Sequence, residues 1–238
     1  TGGDGADRIV MAGNLTAADT ISGGDGADVV QVSAAIAAST VLANVDAETL
    51  EVDGAVGVTL AAATNIATFD FSDTGNQVLT LSTGYAGATE VVLTGDATTN
   101  QDSVINTAGV ALTVTANVAD VDSGTTITGG AGTDTINLAN AATATADFTA
   151  VTLVETINVA TGGAASTADP TIDLQSIATA ITVNGSTLIA GEDLVVDGSS
   201  VTGAITATGG AGADLDAGGR RANRDRRRNQ RMVQDRAG

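Results

Sequence analysis

The sequence contains no cysteine, histidine, tryptophan or lysine, and its single proline is Pro170. Without thiols no disulfide can hold the fold, and the serine and threonine hydroxyls have no histidine to activate them as nucleophiles. Aromatic residues are limited to Phe69, Phe71, Tyr85 and Phe148, so an apolar content of 43% must be packed as Val, Ile, Leu and Ala. Positive charge is scarce as well. Arg8 is the only base in the first 218 residues, against 26 acids, and the other eight arginines fall between Arg220 and Arg236. Such a surface repels nucleic acid and anionic membranes and attracts cations. No apolar run approaches the roughly 20 residues that a membrane-spanning helix needs. The chain opens at Thr1 directly before a Gly-Gly motif, which reads as an internal fragment of a longer protein.

What is present is repetition. Gly-Gly-x-Gly-x-Asp occurs four times, at Gly2 to Asp7, Gly23 to Asp28, Gly129 to Asp134 and Gly209 to Asp214. The first three run into β-formers: Ile9-Val10, Val29 to Val32 and Thr135 to Leu138. A second repeat follows two of these turns, because Val45 to Val52 matches Thr152 to Val159, with Glu48-Thr49-Leu50 against Glu155-Thr156-Ile157. Short period-2 alternations recur at 68–71, 78–81, 91–93 and 112–114, and again at 172–174, 181–183, 194–196 and 205–207. Leu50, Phe69, Val91 and Leu112 lie at intervals of about 20 residues, the spacing of equivalent strands in successive turns of a solenoid.

The expected fold is therefore all-β, a parallel β-solenoid of β-roll or β-helix type with Gly-Asp turns. A β-sandwich is the competing architecture, since strands at 8–12-residue spacing also suit it. Ala34 to Ala43 and Ala139 to Ala150 are the two stretches rich enough in alanine for short helices, although Thr and Ser interrupt both. The organisation expected is a first calcium-binding module over residues 1–54, spacer rungs over 55–120, a second module over 121–218 and a basic disordered tail over 219–238. The tail reads either as an interaction arm or as a gene translated out of frame after Asp214; the second reading is preferred, because the fourth motif does not run on into a strand.

Calcium takes six to eight oxygens in flexible geometry, from carboxylates and backbone carbonyls. Gly-Gly-x-Gly-x-Asp offers both: the glycines permit a tight turn that aims carbonyls at one point, and the aspartate adds charge. One turn supplies half a shell, so two must stack. Asp7 and Asp28 are 21 residues apart, about one rung. Gly2, Gly3, Asp4, Gly5 and Asp7 with Gly23, Gly24, Asp25, Gly26 and Asp28 thus form the best candidate site. Asp193 precedes Asp214 by the same 21 residues and marks a weaker one, while Asp134 has no such partner upstream.

These motifs resemble the haemolysin-type nonapeptide of RTX (repeats-in-toxin) proteins, Gly-Gly-x-Gly-x-Asp-x-apolar-x. The Ala, Thr and Val-rich spacers with their Glu-Thr-Leu and Glu-Thr-Ile strands resemble Gram-negative surface-layer proteins that carry such repeats. The resemblance implies type I secretion, calcium-induced folding outside the cell, and self-association in a surface lattice. Arg8 departs from the pattern, standing where a small polar residue is usual. The chain is accordingly expected to be a secreted, calcium-binding structural protein and not an enzyme. The alternative is a calcium-dependent adhesin or biofilm-matrix segment, and a polysaccharide-active β-helix enzyme is a remote third. Asp73-Thr74-Gly75 and Asp122-Ser123-Gly124 have the form of aspartic protease loops, but they are too close in sequence and lack the apolar residues that bury a carboxylate dyad.

Overall fold

Alternation puts every second side chain of a strand on one face. In Leu112–Ala116, Leu112, Val114 and Ala116 are buried while Thr113 and Thr115 lie outward. A segment so short cannot fold alone; it must bury its apolar face against copies of itself. The computed structural model, which describes residues 1–11, 15–62, 64–71, 75–87, 89–94, 101–175 and 177–215 with the backbone of 231–233, shows how it does so. One long sheet collects Arg8–Met11, Val29–Val32, Thr49–Val52, Thr68–Asp70, Thr89–Leu93, Leu112–Ala116, Thr135–Leu138, Thr156–Val159, Ile181–Asn184 and Ile205–Thr208 in sequence order. All of these pair in parallel. Between them run strands of two further parallel sheets. One holds Gly57–Leu60, Val78–Leu81, Ser103–Asn106, Thr126–Thr128 and Val151–Thr152; the other holds Thr145–Asp147, Thr171–Asp173 and Val195–Asp197.

This is the parallel β-solenoid, and the sandwich is excluded because sequential strands stack in parallel with their own repeats. One apolar cluster fills it from Ile21 to Ala207. Phe69, Phe71 and Phe148 are fully enclosed, and Tyr85 is buried with its hydroxyl accepting a hydrogen bond from Thr89. The 20-residue spacing read from the sequence holds for Leu50, Phe69 and Val91, which are register partners. It slips by one pleat at the next rung, where Val114 and not Leu112 faces Val91. Neither alanine-rich stretch forms an α-helix: Ser39–Leu42 is a single 3-10 turn, and the second stretch contains the strand Thr145–Asp147. Among the described residues no helix is long and apolar enough to cross a membrane.

The outer face of the long sheet changes character along the stack. Its first rungs carry Arg8, Gln31, Glu51, Asp70 and Glu90; Arg8 forms a bidentate pair with Glu51 two rungs away, and Gln31 donates to Glu51 and Asp53. Its later rungs carry Thr and Asn, with Asn184 donating to Asn158 and Asn158 to Asn137 in a side-chain ladder. Beyond Asp214, Leu215 bridges to Val195, so one residue continues the stack. The backbone of Arg231–Val233 lies antiparallel on Ile205–Thr208, and the rest of the basic tail is outside the described residues.

Candidate metal centre

Wherever the chain turns a corner into a strand, a backbone N–H is directed along the stack and needs an acceptor in the next rung. Carboxylates supply it at several corners. Asp28 Oδ1 accepts from the N–H of Asp7 at 2.9 Å, and Glu48 Oε2 accepts from the N–H of Asp28 at 2.8 Å. The same relay recurs in the second module, where Asp134 Oδ1 accepts from Leu112 at 2.8 Å and Glu155 Oε2 from Asp134 at 2.9 Å. Asp102 serves Gln77 at 2.8 Å and Asp214 serves Leu194 at 3.0 Å at other corners. These bonds are charge-assisted and so are worth more than neutral ones. Glu48, Glu155 and Asp102 were not among the residues singled out from the sequence. The signal for the first two was the matched Glu-Thr-Leu and Glu-Thr-Ile segments, whose glutamates cap the motif aspartate one rung earlier.

The first two Gly-Gly-x-Gly-x-Asp turns stack as their spacing requires. Gly3 and Asp4 pair with Gly24 and Asp25, which brings the exposed carboxylates of Asp4 and Asp25 onto successive rungs. Gly5, Gly24 and Gly26 have φ of +108°, +112° and +142°, a region that side chains disfavour. Each motif aspartate folds back over the first glycine of its own turn. A methyl on Gly2, Gly23, Gly129 or Gly209 would lie 2.3, 2.0, 2.7 or 2.0 Å from Oδ2 of Asp7, Asp28, Asp134 or Asp214. Hydrogen at these positions is what lets the carboxylate sit there.

At two of the four turns a carbonyl of the following rung faces the same glycine. Gly23 O lies 2.4 Å from the methyl position on Gly2, and Leu153 O lies 2.0 Å from that on Gly129. These are the turns whose carboxylate Oδ2 is buried without a hydrogen-bond partner, at Asp7 and Asp134. Asp134 itself has no exposed surface. Two oxygens converging without a donor repel one another, and a hard cation removes that repulsion. The oxygens present therefore fit calcium. Burial, with the nearby charge of Glu155 against the opposing N–H of Leu112, holds the Asp134 carboxyl above the usual carboxylate range. Among the described residues no three acidic side chains converge, so backbone carbonyls and water must supply the balance of any shell.

The remaining candidates are placed differently. Asp193 and Asp214 do meet across one rung, Asp193 Oδ1 accepting from the N–H of Ala213 while Asp214 caps Leu194. Burial first, then the Asp193 charge, raises the Asp214 carboxyl against the N–H groups that lower it. Neighbouring Glu192 has no exposed surface, yet its carboxyl lies below the ordinary range: burial works upward but is outweighed by donors from Ser166, Ile189, Gly162 and Thr161. Asp122 is occupied in a turn, Oδ1 accepting from Gly124 and Thr125, and Asp73 lies outside the described residues. The chain matches no family model, no curated protein and no solved structure.

Proposed function

We propose that the chain is part of a secreted calcium-binding structural protein, of surface-layer or RTX type, whose folding and self-association are linked to calcium. The observation that carries this reading is the stacked turn pair 2–7 and 23–28, where the buried Asp7 Oδ2 faces the Gly23 carbonyl with no donor between them. Its support in composition is the near absence of any internal counter-ion, since 26 acids share one base up to residue 218. Carboxylates stacked about 4.8 Å apart along a rung column repel in the folded state and much less in an extended one. At low calcium the extended chain is favoured and is suited to export. At millimolar calcium outside the cell, binding only the folded state stabilises it by mass action. No catalytic role is assigned to any residue.

Far-ultraviolet circular dichroism and thermal unfolding of the full chain, in chelator, in calcium and in magnesium, test the reading. The expected result is a calcium-specific gain in β signal or in unfolding midpoint, reduced by Asp7→Asn. An identical spectrum and midpoint in chelator and in millimolar calcium overturn it.

A further inference from the structure

The two modules are not equivalent at the corner that matters, although their sequences align without a gap. Bridge partners fix the comparison: Ser22 pairs with Asp46, and Thr128 pairs with Thr152. In both modules the next backbone bond is the same, Gly23 donating to Asp46 O and Gly129 to Thr152 O. In both, the capping glutamate follows, Glu48 for Asp28 and Glu155 for Asp134. One buried residue, Ala47, separates Asp46 from Glu48, whereas two residues, Leu153 and buried Val154, separate Thr152 from Glu155. Leu153 is therefore an inserted residue.

It is also one of two described non-glycine residues with positive φ, at +55°, and it leaves its apolar side chain 42% exposed. A leucine gains nothing for itself from a left-handed backbone and a solvated side chain. What the insertion does is turn the Leu153 carbonyl onto Gly129, beside the orphaned Oδ2 of Asp134. Bulges of this kind re-aim backbone groups near binding sites. No upstream Gly-Gly-x-Gly-x-Asp turn is present to complete this motif; the preceding rung offers Asn106, whose side chain is engaged with Val110 and Gly109.

We infer that Asp134 Oδ2, the Leu153 carbonyl and the Glu155 carboxylate form a second calcium site, assembled from the rung that follows the motif and not from a stacked copy of it. The inference rests on the calcium reading above but uses different residues. The distances of the Asp134 and Leu153 oxygens from the common point on Gly129, 2.7 and 2.0 Å, keep the two within about 4.7 Å of each other. One ion with ligands at 2.3–2.6 Å spans such a gap. Glu155 is half-buried, which leaves one side open for water and for the ion to arrive. Asp134 has no basic side chain among its charge partners; burial and the Glu155 charge both work against its ionised form, and a cation at this point would favour it.

Calcium titration calorimetry of the full chain, with thermal unfolding in chelator and in calcium, tests this on Asp134→Asn, Glu155→Gln and Leu153→Gly, with Asp7→Asn as the reference for the first site. Asparagine keeps the acceptor for Leu112 and turns a donor toward the Leu153 carbonyl. Asp134→Asn is therefore expected to bind one calcium fewer than wild type, to unfold in chelator at or above the wild-type midpoint, and to gain less from calcium. Glu155→Gln should weaken the same equivalent. Leu153→Gly should unfold later in chelator without changing the stoichiometry. A folded Asp134→Asn with wild-type stoichiometry, or with a lower midpoint in chelator and an unchanged calcium gain, reduces Asp134 to a corner cap and overturns the inference. Calcium binding lost through Asp7→Asn alone overturns it while leaving the first site standing, and a chain that binds no calcium overturns both.

Discussion

Gly5 and Gly26 occupy the same place in the same six-residue motif, yet the structure gives them opposite surroundings. A methyl on Gly5 meets nothing within 4 Å, whereas one on Gly26 would lie 2.1 Å from the carbonyl oxygen of Gly5 and 2.5 Å from its carbon. Both have positive φ, so Gly5→Ala and Gly26→Ala share a backbone penalty of about 1–2 kcal/mol. Only Gly26→Ala must also push the first turn off the second. The bonds at risk are Gly3 N–H to Gly23 O and Gly5 N–H to Asp25 O, with the Gly3–Asp4 pairing on Gly24–Asp25. At about 1 kcal/mol net for each backbone bond, the extra loss is about 2–3 kcal/mol. Because the turn belongs to the first rung of the stack, the loss will show as local opening more than as global unfolding. Amide hydrogen exchange at Gly3 reads it directly. Exchange there should be roughly 30- to 140-fold faster in Gly26→Ala than in Gly5→Ala, from tenfold per 1.4 kcal/mol. Equal exchange in the two variants would refute the stacking of turns 2–7 and 23–28, and with it the geometry of the first calcium site.

Three other outcomes are expected. Phe69→Ala removes a fully enclosed ring between Leu50 and Val91 and should lower stability by about 3–5 kcal/mol in urea unfolding, calcium or not. Arg8→Ala breaks an ion pair whose Arg8 side chain is half exposed, so the loss should be below about 1 kcal/mol and should vanish in high salt. The Asp214 carboxyl is raised in the folded state, so its contribution favours folding at acid pH and is lost as pH climbs through the folded-state pKa. In chelator the urea midpoint should accordingly rise as pH falls from neutral toward the ordinary carboxylate range, and Asp214→Asn should flatten that slope.

Much of the architecture was legible because apolar alternation and glycine turns act locally, and a parallel stack asks little more of a strand than that. The strands at 68–70, 78–81 and 205–208 announce themselves by Phe, Leu and Ile in alternate positions. Gly57–Leu60, Ser103–Asn106 and Thr126–Thr128 did not, since one or two apolar residues among Gly, Ser and Thr resemble a loop until a neighbour pairs with them. The stacking of Asp7 with Asp28, and of Asp193 with Asp214, followed from their 21-residue spacing. The role of Glu48 and Glu155 did not, because a glutamate beside a strand reads as solvated until the facing N–H is located. Least visible was the insertion at Leu153. A gapless alignment of the two modules conceals it, since the extra residue is revealed only by which residues of the previous rung each one faces.

In the long sheet every parallel strand touches only its neighbours in sequence, and each rung advances the stack by about 4.8 Å. Length in such a molecule is a count of repeats. A rung gained or lost by duplication or deletion would change the reach of the rod by one fixed step and leave all other contacts as they were. Proteins built this way are suited to holding two points a set distance apart, and their span can be retuned in evolution without redesigning a core.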